Sequence, residues 1–446
     1  MLKPFPYGSS TRHPDSVPVL LVADQDGNIS EFPELQMAGM SNGKFIRPDV
    51  GDLIPLPEGS ELFTLPGRFP VGWDPETEEP VALTENPFSK GQVQAVAAFM
   101  APAHTAILTS SYQTQQGAPA LPLFAYTAVG WYQDRFWVAG FRSDQDRRQD
   151  ASQYRQKTVE SRTRNKLKQH KNNRLIQHLG KCCLTYGCPA ARNYFLGRWE
   201  APLPTSPTCN ARCLGCISLQ PSGCCPATQD RITFVPSVKE ITQVAIPHLE
   251  EADNPIVSFG QGCEGEPLLQ ADVIAKAIQM VRSHTTRGTI NLNSNSSLPQ
   301  SVARLAQAGL DSIRVSLNSA QETFYNRYYR PQNYTFADVM QSIDVMKDNG
   351  CFVSLNYFIL PGFTDSEQEF TALCHLLRSH RPDFIQLRNL NIDPEWYLKN
   401  LTFPSDAKSL GMRLWLARIR KEFPLLRFGY FNPQKPIHTG ATENIL

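Results

Sequence analysis

Cys209-Asn-Ala-Arg-Cys213-Leu-Gly-Cys216 sets three thiols inside eight residues, just after a proline-broken segment that runs from Pro202 to Pro207. No further thiol or histidine stands at the spacing that completes a zinc ribbon. A structural zinc closes four ligands and a cubane iron–sulfur cluster normally takes four thiolates. Three local ligands therefore leave one metal position for a substrate or cofactor. The plainer reading is a structural zinc knuckle completed by Cys224 or Cys225.

About fifty residues on, Gly265-Glu266-Pro267 follows the apolar run Pro255-Ile-Val-Ser-Phe-Gly260. With this turn behind the CxxxCxxC loop, the stretch over roughly residues 200–400 resembles the radical S-adenosylmethionine superfamily. The resemblance implies that Cys209, Cys213 and Cys216 hold three irons of a [4Fe-4S] cluster. It implies that the fourth iron takes the amino and carboxylate groups of S-adenosylmethionine. Reductive cleavage then yields a 5′-deoxyadenosyl radical that abstracts hydrogen from a substrate, fed by an electron donor such as flavodoxin or ferredoxin. It further assigns Gly265 and Glu266 to the methionyl amino group, and Ser294, Asn295, Ser316 and Asn318 to the methionine carboxylate and ribose. The family usually sets an aromatic residue before the third cysteine; here that residue is Gly215. On the residues alone, Ser and Asn at strand ends are ordinary turn caps.

Length and composition leave room for this. The chain has 446 residues, 41% of them hydrophobic, with a formal charge of +1, which gives no global affinity for nucleic acid or membranes. No run approaches about eighteen apolar residues, and the start Met-Leu-Lys-Pro-Phe-Pro lacks a signal-peptide core, so a cytoplasmic location is expected. The eleven cysteines gather mainly in 182–225, a pattern that reads as metal binding in a reducing compartment. Cys182, Cys183, Cys188, Cys224 and Cys225 are candidates for a second, auxiliary iron–sulfur cluster. Buried unligated thiols are the alternative. Cys263 reads as a packed thiol, with a place facing the site as the alternative.

Four segments are expected: a β-rich domain over 1–148, a basic helical linker with the first cysteines over 149–199, a partial (β/α)6 TIM-like barrel over 200–400, and a helix, strand and tail over 401–446. In the first, Val17–Ala23 reads as a strand ended by the turn Asp24–Gly27, and Pro122–Trp131 with Phe136–Phe141 as a hairpin forming part of a sandwich or small barrel. Its aromatics Trp131, Tyr132, Phe136 and Trp137 read as sheet core. Residues 151–181 carry nine Lys or Arg against Glu160, and Val159, Leu167, Leu175 and Leu179 suggest one apolar stripe on a helix. A solvated connecting helix is favoured there over an RNA footprint, because no aromatics interleave with the basic residues.

In the barrel, Ser237 with Glu240 reads as a capping box for a helix over 238–250, followed by a helix over 268–284. The strands Thr289–Asn293 and Ser312–Leu317 come next, then Phe352–Leu360 and Phe384–Leu387, with Thr364 and Glu367 capping the helix between the last two. Arg327 or Arg330 could read a carboxylate or phosphate from the aromatic segment 322–330, for which packing on the barrel rim is the alternative. The substrate stays open among a peptide, an RNA and a small metabolite. A non-catalytic iron–sulfur or zinc-binding regulatory protein on the same fold is the competing class.

Overall fold

The computed structural model describes residues 14–86 and 90–434. The N-terminal hexapeptide and most of the proline-containing tail lie outside the described residues. The chain divides into two units: residues 1–152 with 359–370 and 388–419, and residues 153–358 with 371–387 and 420–446. Among the described residues no helix is long and apolar enough to cross a membrane.

The first unit is built on antiparallel strands. Val19–Ala23 pairs with Ile29–Met37, Val129–Tyr132 and Gln94–Phe99. Between it and Ile29–Met37 the chain turns at Asp24–Gly27, where Gly27 takes φ +85° and donates its N–H to Asp24. The hairpin closes Val129–Tyr132 onto Arg135–Arg142 through Gln133 and Asp134 at φ +49° and +55°. Two consecutive residues with positive φ give the turn whose twist matches paired strands. Its first strand starts later than the expected Pro122–Trp131: the ladder begins at Val129, and Ala128 adds only its carbonyl, which accepts from Ala139. Leu21, Ala23, Val96, Ala98, Val129 and Val138 form a core, against which Trp131 and Phe136 pack. The ring centroids of those two lie 4.6 Å apart, edge to face.

In the second unit the basic segment is two helices and not one. Gln156–Gln169 ends at His170, and Arg174–Leu184 restarts under Asn173, whose side chain accepts from the Ile176 N–H. The break is fixed from outside: the Asn173 amide donates to the Glu240 carbonyl and to Gln243 on the helix Val238–Glu251. Leu167 then packs back on Gly180, where a Cβ would lie 2.6 Å from its methyl. A third helix, Pro189–Leu196, leads into the sheet.

The sheet has seven strands in sequence order: Glu200–Pro202, Ile256–Phe259, Thr289–Ser294, Ser312–Leu317, Phe352–Ile359, Phe384–Asn389 and Arg427–Gly429. Every described pairing of these is parallel. Strands that follow one another with helical crossovers and add on one side curl into an open barrel. The expected capping box of Ser237 and Glu240 is present. Helix Ala271–His284 starts three residues later than read, because Pro267 opens a 3-10 turn first. At the start of the helix Glu367–His380 the Thr364 hydroxyl accepts from the Leu360 N–H, and the Ser366 hydroxyl takes the Glu369 N–H.

Candidate metal and cofactor site

Residues 203–237 leave the first strand as a long irregular segment, and its folding explains where the three cysteines sit. The Glu264 carboxylate accepts the N–H groups of Thr205 and Ser206 at 2.7 and 2.9 Å and that of Gln261 at 2.7 Å. This buried acid thus gathers the start of the cysteine loop onto the turn after strand Ile256–Phe259. Gly265 donates to the Ser206 carbonyl and Glu266 to that of Thr208, at 2.7 and 2.8 Å. A Cβ on Gly265 would meet the Thr208 oxygen at 1.9 Å, so only glycine permits this approach.

The far side of the loop is fastened to the segment 328–332. Arg212 and Leu214 donate to the carbonyls of Tyr329 and Tyr328, and Gln332 donates to that of Asn210. Beneath it Tyr325 and Tyr329 stack at 4.5 Å, and the Tyr325 and Tyr334 hydroxyls lie 3.2 Å apart. Burial, joined by the charge of neighbours that include Cys213, holds all three phenols well above their ordinary range. Among the described residues the buried Tyr329 hydroxyl has no hydrogen-bond partner.

Glu266 ties two strand ends together. Its carboxylate accepts from the Ser294 hydroxyl at 2.6 Å, the Asn295 N–H at 2.9 Å and the Leu268 N–H at 3.0 Å. Burial pushes this acid up to about 7 against the pull of those donors. Asn295 in turn donates to Asn210, and Asn210 to Ser297, so the loop residue next to Cys209 is held from the strand Thr289–Ser294. Four of the six candidate cofactor residues, Gly265, Glu266, Ser294 and Asn295, therefore share one network with the cysteine loop. Ser316 lies opposite Asn356 in the sheet, and Asn318 donates to the Phe324 carbonyl, a turn-capping contact.

Burial, with the charges of Cys209 and Cys216, raises the Cys213 thiol well above its usual range, and burial with Glu266 takes Cys209 up to about 11. Thiols so placed ionise only when a cation compensates the charge. Next to the third cysteine of the loop, the Arg231 guanidinium stands 3.4 Å from the Cys216 sulfur. The donor set fits an iron–sulfur cluster: three soft ligands on one loop, with the Tyr329 hydroxyl left over beside them.

The other cysteines have contacts of their own. Cys183 faces the Thr163 hydroxyl at 3.3 Å, and the sulfurs of Cys224 and Cys225 lie 3.2 Å from each other in their own turn. Cys182 instead meets Cys263 and His178. Glu264, Asn210, Arg231, Tyr329 and His178 were not singled out by sequence reasoning. For His178 the signal was present, since it stands four residues before Cys182 on a helix. Beside the loop a cavity of about 680 Å³ is lined by Arg212, Glu322, Asn326, Arg330 and Tyr334 among others.

A model of the radical SAM superfamily matches residues 203–374. The GTP 3',8-cyclase of Acidothermus cellulolyticus is 26% identical over 258 residues, covering 56% of this chain and 64% of that protein. That of Campylobacter lari is 30% identical over 160 residues, covering 36% of this chain and 46% of its own length. The chain thus spans less than two-thirds of each of these relatives. The solved structure of HydG, a maturase of the [FeFe]-hydrogenase, aligns over 62% of this chain and 63% of its own with 14% identity and a TM-score of 0.37. The loop of three cysteines, the glycine turn locked against it and four of the seven parallel strands lie within the matched residues, and this part of the chain belongs to the radical SAM superfamily.

Proposed function

We propose that this protein is a radical S-adenosylmethionine enzyme with one [4Fe-4S] cluster on Cys209, Cys213 and Cys216. The observation that carries the reading is the 1.9 Å approach of the Thr208 carbonyl to the missing Cβ of Gly265. It joins the ligand loop to the turn that the family uses for the methionyl group. When bound, the cluster and S-adenosylmethionine supply reductive cleavage to a 5′-deoxyadenosyl radical. The chain's own residues bind, orient and exclude water. Glu266, Ser294 and Asn295 hold the strand ends in one arrangement, and Tyr325, Tyr329 and Tyr334 are themselves buried.

The substrate is read as one with an anionic group, held by Arg212 and Arg330 in the cavity beside the loop. A peptide, an RNA and a small metabolite can each carry one. A low-potential donor such as flavodoxin or ferredoxin and a cytoplasmic setting complete the reading.

The test is 5′-deoxyadenosine formation by anaerobically reconstituted protein given dithionite and S-adenosylmethionine. Product above the level of a Cys209→Ala variant is expected. No product, together with no binding of S-adenosylmethionine at full iron loading, would return the chain to the non-catalytic metal-binding class.

A further inference from the structure

We infer that His178, Cys182 and Cys263 bind a zinc ion, at a site separate from the three-cysteine loop. Their ligand atoms all lie within 4.8 Å of one another, and the His178 Nε2 stands 3.6 Å from the Cys182 sulfur. With zinc–sulfur and zinc–nitrogen bonds of about 2.3 and 2.0–2.1 Å, tetrahedral ligands stand roughly 3.6 Å apart. His178 and Cys182 are thus already at mononuclear spacing, with Cys263 inside 4.8 Å of both.

Rigid elements hold each ligand there. His178 and Cys182 are four residues apart on the helix Arg174–Leu184, which puts both on one face. The His178 ring is set edge-on against Phe234, with centroids 6.5 Å apart. Cys263 arrives from the turn after the strand Ile256–Phe259, where its carbonyl accepts from Ile232 at 2.8 Å. Cys182 and Cys263 are both almost fully buried. Cys188 folds back beside them, donating its N–H to the Cys182 carbonyl at 3.1 Å.

Ligand chemistry selects the ion. Two thiolates and an imidazole, with the fourth position left to water, are a borderline-soft set that suits zinc, whereas an iron–sulfur cubane normally takes its ligands as thiolates on separate irons. Binding releases the two thiol protons and needs no redox partner. Cys263 directly precedes Glu264, Gly265 and Glu266, so the ion would fasten the helix Arg174–Leu184 to the turn that positions the cysteine loop. The site does not rest on the radical reading, and metal analysis distinguishes the two.

The experiment is elemental analysis of the full chain, expressed with zinc in the medium, alongside Cys182→Ser, Cys263→Ser, His178→Gln, Cys183→Ser and Cys209→Ala variants. About one zinc per chain is expected in the parent, in Cys183→Ser and in Cys209→Ala, falling at least tenfold in the other three. Replacement by Co(II) should give thiolate-to-cobalt charge-transfer absorption in the parent, and weaker absorption in the half-buried His178→Gln variant, which keeps the question open to test if the cysteine variants do not fold. Zinc that is unaffected by all three substitutions, zinc lost with Cys209 instead, iron in its place, or a Cys182–Cys263 disulfide in metal-free protein would each overturn the assignment.

Discussion

The Thr208 carbonyl oxygen occupies the place that a Cβ on Gly265 would need, 1.9 Å away, so the cysteine loop and the Gly-Glu-Pro turn pack backbone to backbone. A flexible side chain could move aside; a carbonyl in a strapped loop cannot. Gly265→Ala should therefore displace residues 205–209 and lower iron uptake and S-adenosylmethionine cleavage at least tenfold, beyond the ~1–3 kcal/mol of ordinary overpacking. Gly51→Ala, whose Cβ would meet nothing within 4 Å, is the control. Iron content and turnover of the two variants check it, and equal behaviour would contradict the packing argument.

The sequence carries the cysteine loop, the turn and the order of the parallel strands, because spacing and strand-end glycine are local signals. The break at Asn173 is not local: Glu240 and Gln243, more than sixty residues away, hold that side chain. The aromatic segment 322–330 reads equally as a pocket wall or rim packing until the loop's hydrogen bonds to residues 328–332 place it against the cysteine loop. Cys182 looks like a partner of Cys183, its neighbour in sequence. On a helix adjacent residues point apart, so Cys183 turns to Thr163 and Cys182 to a thiol eighty residues on.

In the first unit Arg68 and Asp393 form an ion pair of 2.8 Å with both side chains at most 3% exposed. Asp393 also accepts from the Leu121 N–H and caps the helix Pro394–Leu401 through the Trp396 N–H. Asp393→Ala leaves a buried guanidinium charge without its counter-ion, and should cost about 3–5 kcal/mol. Asp393→Asn keeps acceptor capacity and should cost less. Denaturant unfolding measures both; a loss under about 1 kcal/mol in the alanine variant would mean that water reaches the pair.

Burial depresses the His248 imidazole to about 4, with Lys166 adding to the effect against two backbone hydrogen bonds. Between about 4 and 6.5 the unfolded chain binds the proton and the folded chain does not, so folding stability rises with pH across this window. Acidification from 6.5 towards 4 should thus cost on the order of 3 kcal/mol at this residue, and nothing above 6.5. His248→Gln should flatten that slope. Urea midpoints at several pH values decide it, and an unchanged slope would assign the acid sensitivity elsewhere.

Arg231 donates towards the Cys216 sulfur at 3.4 Å and to the Ser218 hydroxyl at 3.1 Å. Hydrogen bonds to ligand sulfur stabilise the more negative, reduced state of an iron–sulfur centre. Arg231→Ala should leave iron content intact and move the reduction potential to more negative values by on the order of tens of millivolts. Cleavage driven by a protein donor should slow more than cleavage driven by excess dithionite. Electrochemical titration reads the shift, and a change in the opposite direction would refute the contact's role.

The Tyr329 hydroxyl is buried beside Cys213 and, among the described residues, has no partner, although its ring is stacked on Tyr325 and its carbonyl is held by Arg212. An unsatisfied buried donor costs about 1–3 kcal/mol, so the group is a liability in the metal-free protein unless it serves the loaded one. Tyr329→Phe removes the hydroxyl and keeps the stacking. Metal-free protein carrying it should unfold at a temperature a few degrees higher than the parent, while the loaded protein should bind S-adenosylmethionine or cleave it severalfold less well. Calorimetry of the first state and 5′-deoxyadenosine yield in the second give opposite signs if the hydroxyl is reserved for the bound cofactors. The same sign in both states would make it a packing defect only.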